Sequence, residues 1–205
     1  FPLNYVARNT SQHFLIMRYI FTLLFFIGIS CFAQKAEEHL NFLGRPIAGS
    51  SETFIKFLED KGFSQTDSFE SSTSFIGKFA NEFVKLKLLY SPKTKTVCKI
   101  IISFSEKDNW DELKEDYFKK KNLYKSKYLL TDEFEFFLDP YDEGDGYEMS
   151  AVARDKCRFV CFFKEFGGHI GLEINQKGCV QVSYEDDINI QVAKKEFESK
   201  AFDDI

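Results

Sequence analysis

Hydrophobic and polar residues alternate along three neighbouring segments in the first half of the chain, residues 75–79, 83–90 and 96–104. A period of two is typical of β-strands with one buried face. Val84, Leu86 and Leu88 would then point to the same side of a sheet. The stripe from Cys98 to Phe104 would join them, so the pattern predicts an antiparallel meander with a defined core face.

A second set of strand patterns covers residues 156–163, 169–175 and 179–184. A three-residue loop at 176–178, closed by Gly178 in the left-handed conformation, would place Ile174 opposite Val180. Residues 133–138 are predicted as an additional strand, followed by an acidic loop and a short helix over 147–153. The second half therefore contains its own three-stranded meander.

Three longer helices are indicated by capping residues and by apolar residues at helical spacing. Ser50 begins the first and Gly62 ends it. Asn109 with Glu112 resembles a capping box at the start of a helix over 109–128, whose lysine run we interpret as a solvated helix end. The last begins near Asn189, and the Ser-rich segment 64–74 is predicted to be a loop.

The order of elements predicts an α+β fold in which a helix plus a three-stranded antiparallel meander occurs twice. The repeat halves are about 36–105 and 106–205, and together they would build one sheet with helices on one face. The opposite face would then be left open.

Residues 17–33, MRYIFTLLFFIGISCFA, are predicted to be a signal peptide, and residues 1–16 a non-native upstream extension. The apolar core is shorter than the roughly 20 residues of a membrane-spanning helix, so we expect no membrane span after cleavage. Residues 34–205 would be a single domain that is exported to the periplasm or secreted. Cys31 lies in a partial lipoprotein box, so lipid anchoring through Cys31 is an alternative.

Charge argues against nucleic acid as a partner. Arg8 and Arg18 are the only charged residues before position 34, which leaves 25 basic and 32 acidic residues and a net charge of −7. Cys98, Cys157, Cys161 and Cys179 remain in that part, and both free thiols and a disulfide involving Cys98 or Cys179 are consistent with their spacing.

No catalytic, cofactor-binding or metal-binding constellation is recognisable. His39 and His169 are the only histidines after position 33, and the acidic loop around Asp142 and Asp145 lacks the calcium-loop spacing. The sequence therefore favours a non-enzymatic binding module. The alternatives are a cell-envelope hydrolase that uses carboxylates such as Asp142 or Asp145, and a structural envelope lipoprotein.

The predicted open sheet face is the candidate binding surface. Strand alternation assigns it basic residues interleaved with apolar ones: Lys85, Lys87, Lys95, Lys99, Lys156, Arg158 and Lys164, with Phe83, Leu89, Val97, Ile101, Val160 and Phe162. We select Lys85, Lys87, Lys99, Arg158 and Phe162 as partner-binding residues for a protein or an acidic glycan. The alternative is that the lysines keep the face soluble and that Phe162 shields Gly171 on the next strand.

Four short motifs, FLGRPIAG at 42–49, Trp110–Leu113–Tyr117, GDGYEM at 144–149 and VSYEDDIN at 182–189, resemble uncharacterised exported proteins of Bacteroidetes-type bacteria. This resemblance implies a periplasmic or surface location and no particular activity. The order of elements also looks like that of β-lactamase-inhibitor proteins, which bind a partner on a concave sheet face.

Overall fold

A computed structural model describes residues 38–203, and residues 1–16 and 17–33, with Cys31, lie outside the described part. We number the elements in chain order. The helices are α1 (Ser51–Asp60), α2 (Trp110–Lys125), α3 (Glu148–Ala153) and α4 (Asp187–Asp203). The strands are β1 (Asn41–Phe42), β2 (Arg45–Pro46), β3 (Ser64–Phe69), β4 (Ser72–Phe79), β5 (Glu82–Tyr90), β6 (Val97–Ser103), β7 (Leu129–Phe137), β8 (Cys157–Glu165), β9 (Gly168–Ile174) and β10 (Val180–Asp186).

Eight strands form one antiparallel sheet in the order β3-β4-β5-β6-β10-β9-β8-β7. Each half of the chain contributes four consecutive strands, and the halves meet where β6 pairs with β10, with Ile102 opposite Val182. The predicted hairpin register is confirmed, because Ile174 pairs with Val180 and Gly178 has a φ of 71°. The α+β class and the antiparallel sheet are therefore as predicted.

The core lies on the sheet face predicted from alternation. Leu86, Leu88, Ile100, Leu172 and Val182 are all at most 1% exposed. Their neighbours on the same face include three aromatic residues of the second half, Phe159, Phe163 and Tyr184, which pack against α2. Burial of this continuous apolar surface is the main stabilising contribution to the fold.

Helix α1 begins and ends as the sequence indicates. The Ser50 side chain accepts a hydrogen bond from the Thr53 backbone N–H, and Gly62 has a φ of 88°. The N–H of Phe63 donates to Leu58 O at 3.0 Å, which closes the Schellman motif. The Phe63 ring then lies over Gly77 of β4, where a Cβ atom would come within 2.5 Å of it.

Helix α2 has the predicted cap but not the predicted solvated end. Asn109 Oδ1 accepts from the Glu112 N–H at 2.9 Å, and Asn109 donates to the Glu112 carboxylate. Lys120 and Lys121, however, are buried, with 4% and 6% exposure. Both bond to carboxylates, so the lysine run is partly an internal ion-pair region and our interpretation of these two residues was wrong.

The prediction of a Ser-rich loop at 64–74 was also wrong, because β3 and the start of β4 occupy this segment. The sequence of β3, SQTDSF, carries no apolar alternation, and every residue of the strand is exposed. Hydrogen bonding to β4 holds it at the sheet edge, with a register irregularity between Gln65 and Asp67. With β3 and β7 included, each half of the sheet has four strands rather than three.

Helix α4 approaches the sheet face opposite the core. Leu89 and Lys99, which pair on that face, line a cavity of about 210 Å³ together with Ile190, Ala193 and Phe197 of the helix. The Glu196 carboxylate accepts from the backbone N–H groups of Lys93 and Thr94. The C-terminal helix therefore covers one end of that face.

Candidate binding face

We call the sheet face opposite the core the open face. Strand pairing assigns it Phe83, Lys85, Lys87 and Leu89 of β5, Lys99 and Ile101 of β6, Gln181, Ser183 and Glu185 of β10, His169, Gly171 and Glu173 of β9, Arg158, Val160, Phe162 and Lys164 of β8, and Asp132, Phe134 and Phe136 of β7. The five residues selected from the sequence, Lys85, Lys87, Lys99, Arg158 and Phe162, all lie on it. Lys95 and Lys156 precede their strands, and Val97 is buried at a strand irregularity beside Tyr90.

Most cations of the open face are paired with acids. Lys99 Nζ lies 3.0 Å from Glu185, Arg158 lies 2.8 Å from Asp155 and Lys164 lies 2.7 Å from Asp187. Lys85 has a longer pair with Glu106 at 3.8 Å. The face is therefore electrostatically mixed, and the segregation of positive charge that we expected from strand alternation is not observed.

Lys87 differs from these residues, because it makes no ion pair within residues 38–203 and its side chain is exposed. It pairs with Ile101 on the next strand. A partner carboxylate could reach Lys87 without displacing an internal acid. Lys87 is therefore a selected cation that has no acidic partner among the described residues.

Strand β7 has an inverted hydrophobic pattern. Its register with β8 pairs Phe134 with Val160 and Phe136 with Arg158, so both phenyl rings lie on the open face and are 48% and 46% exposed. Glu133 and Glu135 pair with Cys161 and Phe159, and therefore point to the core face. A slip of one residue would reverse both sets of side chains. The observed register keeps Leu130 and Phe137 on the core side, where Phe137 packs against Trp110 and Phe159, and leaves Phe134 and Phe136 outside.

Lys121 of α2 favours this register. Its ammonium group bonds to Glu133 at 2.7 Å and also to Glu135. Burial disfavours the charged lysine, but the two carboxylates outweigh burial and the pKa of Lys121 is raised. The hydrogen bond from Lys121 lowers the pKa of Glu133. A buried cation with two acidic partners is satisfied only when β7 turns its acids inward.

The outward phenyl rings form a continuous apolar surface with β8. We call Phe134, Phe136, Val160 and Phe162 the phenyl patch. Phe162, which is 38% exposed, pairs with Gly171, and its ring lies 3.7 Å from the position of a Cβ atom there. Phe162 thus covers Gly171, as the alternative interpretation proposed. The shielding of Gly171 does not explain the exposure of Phe134 and Phe136, because β7 lies on the side of β8 away from Gly171.

A polar depression of about 340 Å³ borders the phenyl patch and is lined by Asp155, Arg158, Val160, Glu173 and Lys177 among others. Burial raises the pKa of the Glu173 carboxyl, and Gln181 donates to it at 2.9 Å. The hydrogen bond from Arg158 lowers the pKa of Asp155. The depression therefore supplies hydrogen-bonding groups beside the apolar surface.

The acidic residues considered for catalysis support a turn. Asp145 accepts hydrogen bonds from the backbone N–H groups of Asp142 at 3.0 Å and Tyr147 at 2.7 Å. Glu148 accepts from the N–H of Gly144. His169 lies 3.4 Å from Glu185 and makes a closer contact with Asp187 at 2.8 Å. These groups shape the loop and the strand end.

Cys98, Cys157, Cys161 and Cys179 are free and buried. Burial raises the pKa of the first three thiols to about 11, which disfavours the reactive thiolate. Within residues 38–203, no cluster of three potential metal ligands occurs. None of the helices of this part combines the length and apolar composition needed to cross a membrane.

Comparisons with family models, with curated proteins and with solved structures give no match for this chain.

Sequence reasoning missed Phe134 and Phe136, although the letters DEFEFF show the alternation. Residues 133–138 were predicted as a strand, but the pattern does not say which side faces the core. An acid–phenylalanine alternation normally places the phenyl rings inward. The ion pairs that favour the opposite orientation of the rings involve Lys121, which precedes β7 on a separate helix.

Proposed function

We propose that this protein is an exported, non-enzymatic binding module that engages a protein partner through the phenyl patch of its open face. The observation that carries the proposal is the outward orientation of Phe134 and Phe136 on β7. These two large apolar groups are held half exposed beside Val160 and Phe162. Contiguous exposed apolar surface of this kind is typical of interaction sites.

The position of β7 supports the same function. It is the last strand of the sheet, so within the described residues its outer backbone N–H and C=O groups face no neighbouring strand. An extended segment of a partner could pair with this edge and place its apolar side chains on the phenyl patch. Aromatic side chains are frequent energetic centres of such interfaces.

Charged groups of the open face would help to select the partner. Arg158 flanks Phe136 across the β7–β8 pair, and Lys87 lies on the same face, on β5, the fourth strand from β8. We therefore expect a partner segment that combines apolar and acidic side chains. An acidic glycan would engage the lysines but would gain little from the phenyl rings, so a protein is favoured.

The hydrolase alternative has less support, because Asp142 and Asp145 are exposed and brace a turn. A structural envelope lipoprotein anchored through Cys31 would require no discrete partner. Retention of a partner from envelope extract therefore distinguishes the binding module from this alternative.

The test uses the purified protein as bait for envelope extract of the source organism. The double substitution Phe134→Ser and Phe136→Ser should abolish capture of the partner, because it removes the two outermost rings of the phenyl patch. Loss of half-buried phenyl groups should lower the free energy of unfolding by only about 1 kcal/mol each. The variant should therefore remain folded.

Phe69→Ser is the matched control, because Phe69 is 66% exposed and lies on the opposite edge strand β3. It should capture the partner as well as the unchanged protein does. Lys87→Glu with Arg158→Glu should weaken capture. Lys99 is left unchanged, because it is the ion-pair partner of Glu185. Undiminished capture by the Phe134/Phe136 variant would disprove the proposal, and protease treatment of the extract would show whether the captured molecule is a protein.

A further inference from the structure

A second concave site lies on the core side of the sheet, away from the open face. It is a cavity of about 640 Å³ between the C-terminal half of α2, the β4–β5 turn and the end of β6. Its walls are largely aromatic, with Phe79, Phe104, Tyr124, Tyr128 and Tyr184 contributing. This volume and this lining are typical of small-molecule sites.

The aromatic walls are held in place by neighbouring rings. Phe79 stacks on Phe42 with ring centroids 5.8 Å apart, and it contacts Phe104 at 6.4 Å. Tyr124 lies 5.7 Å from Tyr128 and 6.3 Å from Tyr184. A ligand would therefore enter a preformed site and would not have to pay for ordering it.

Two tyrosine hydroxyls leave one hydrogen-bond donor unused. Tyr124 Oη and Tyr184 Oη lie 2.6 Å apart, and neither has another hydrogen-bond partner within residues 38–203. Two hydroxyls carry two hydrogens, and the bond between them uses only one. Both residues are at most 5% exposed, and burial raises the pKa of both phenols. The second hydrogen therefore remains available, and both residues line the cavity.

The charge of the lining favours an anion. Three lysines, Lys119, Lys120 and Lys127, and one acid, Glu82, contribute to it. Lys120 is held by Glu82 and Asp116 and lies 4.0 Å from the Phe104 ring centroid, so it forms part of the wall. Lys119 and Lys127 have no carboxylate partner among the described residues. Two cations are thus free to attract an acidic group.

We propose that this cavity binds a small amphipathic carboxylate, with its apolar body between the aromatic walls and its acid group near the tyrosine pair and Lys119 or Lys127. The apolar body removes aromatic surface from water, and the carboxylate accepts the unused hydroxyl hydrogen. A hydrogen bond to a charged group is among the stronger ones in proteins. This site shares no residue with the phenyl patch and does not depend on the proposed function.

Dodecanoate is a suitable probe, and isothermal titration calorimetry below its micelle concentration measures its binding. We expect saturable binding with one site per chain. Tyr124→Phe with Tyr184→Phe should weaken binding about tenfold or more, because it removes the donor and keeps both rings. Lys119→Glu with Lys127→Glu should weaken it similarly, and dodecan-1-ol should bind less tightly than dodecanoate.

Lys125→Glu is the matched control, because Lys125 is an exposed lysine of the same helix outside the cavity lining. It should bind dodecanoate like the unchanged protein, and so should the Phe134→Ser/Phe136→Ser variant. Thermal unfolding confirms that each variant is folded before titration. Absence of saturable binding, or binding by both double variants as tight as that of the unchanged protein, would overturn the proposal.

Discussion

Lys121 shows how one residue can favour one orientation of a strand. A buried ammonium group requires acidic partners, because removing it from water is costly when it is unpaired. Glu133 and Glu135 supply them from β7, and the phenyl rings between these acids are consequently turned outward. The ion pairs of Lys121 thus favour the outward orientation of these rings.

At the residue scale, burial lowers the reactivity of the cysteine thiols. A pKa of about 11 leaves roughly a thousandth of each of Cys98, Cys157 and Cys161 ionised at pH 8, and only the thiolate reacts readily. With Cys31→Ser as background, we expect a thiol-labelling reagent to leave the native protein unmodified. In denaturant without reductant it should label four thiols, because all four are free.

Mass spectrometry of the labelled protein checks this prediction. A native thiol that reacts as fast as in the denatured protein would show that its burial is incomplete. A denatured count below four that rises after reduction would show a disulfide instead. Either result would contradict the free, buried cysteines of the structure.

At the scale of elements, Asp186 joins the end of the sheet to two other segments. Its carboxylate accepts from the N–H groups of Ile188 and Asn189 at the start of α4, and from the Leu40 N–H at 2.9 Å. The His39 ring lies 3.1 Å from it. Asp186 is completely buried, so these bonds replace the water it has lost.

Asp186→Ala should therefore lower the free energy of unfolding by about 2–3 kcal/mol, because several donors lose their acceptor together. Ser50→Ala is the comparison, since it removes a single exposed cap and should cost about 1 kcal/mol. Urea unfolding measures both. Equal effects of the two substitutions would show that the Asp186 bonds add nothing beyond an ordinary helix cap.

Elements defined by local signals are those that the sequence predicts well. The Asn109–Glu112 cap correctly predicted the start of α2, and the short loop that ends at Gly178 correctly predicted the β9–β10 register. Strand β3 was not predicted, because all its residues are exposed and its sequence lacks apolar alternation. Backbone pairing with β4, rather than composition, makes this segment a strand. Propensity is a weak guide where tertiary pairing decides.

The candidate sites depend on contacts between distant segments, so less of them could be predicted. The basic residues of β5 and β8 were placed on the correct face by alternation. Their acidic partners Glu106, Asp155 and Asp187 were not recognised, because they lie outside the alternating strands. The aromatic cavity joins rings from α2, β10 and the β4–β5 turn, which no local pattern connects.

At the scale of the whole molecule, two four-stranded runs meet at the β6–β10 pair and produce a sheet with edges at β3 and β7. The two edges differ, since β3 is polar throughout and β7 alternates acids with phenylalanines. This difference supports the proposal that β7, and not β3, is the binding edge.

The two proposed sites lie on opposite faces of the sheet. Helix α4 lies against the open face beside Leu89 and Lys99, and its first residue, Asp187, contacts Lys164 and His169. The phenyl patch on β7 and β8 lies several strands away from Leu89. The aromatic cavity opens on the core side. A protein partner and a small ligand could therefore bind at the same time.

The most direct test of the central claim is site-specific photo-crosslinking in living cells. Replacing Phe134 or Phe162 with the photoreactive analogue p-benzoylphenylalanine should give the same discrete adduct on irradiation, because both positions belong to the phenyl patch. The same replacement at Phe69, on the opposite edge, should give no such adduct. Absence of an adduct at both patch positions, or an identical pattern at Phe69, would contradict a partner-binding role for the β7 face.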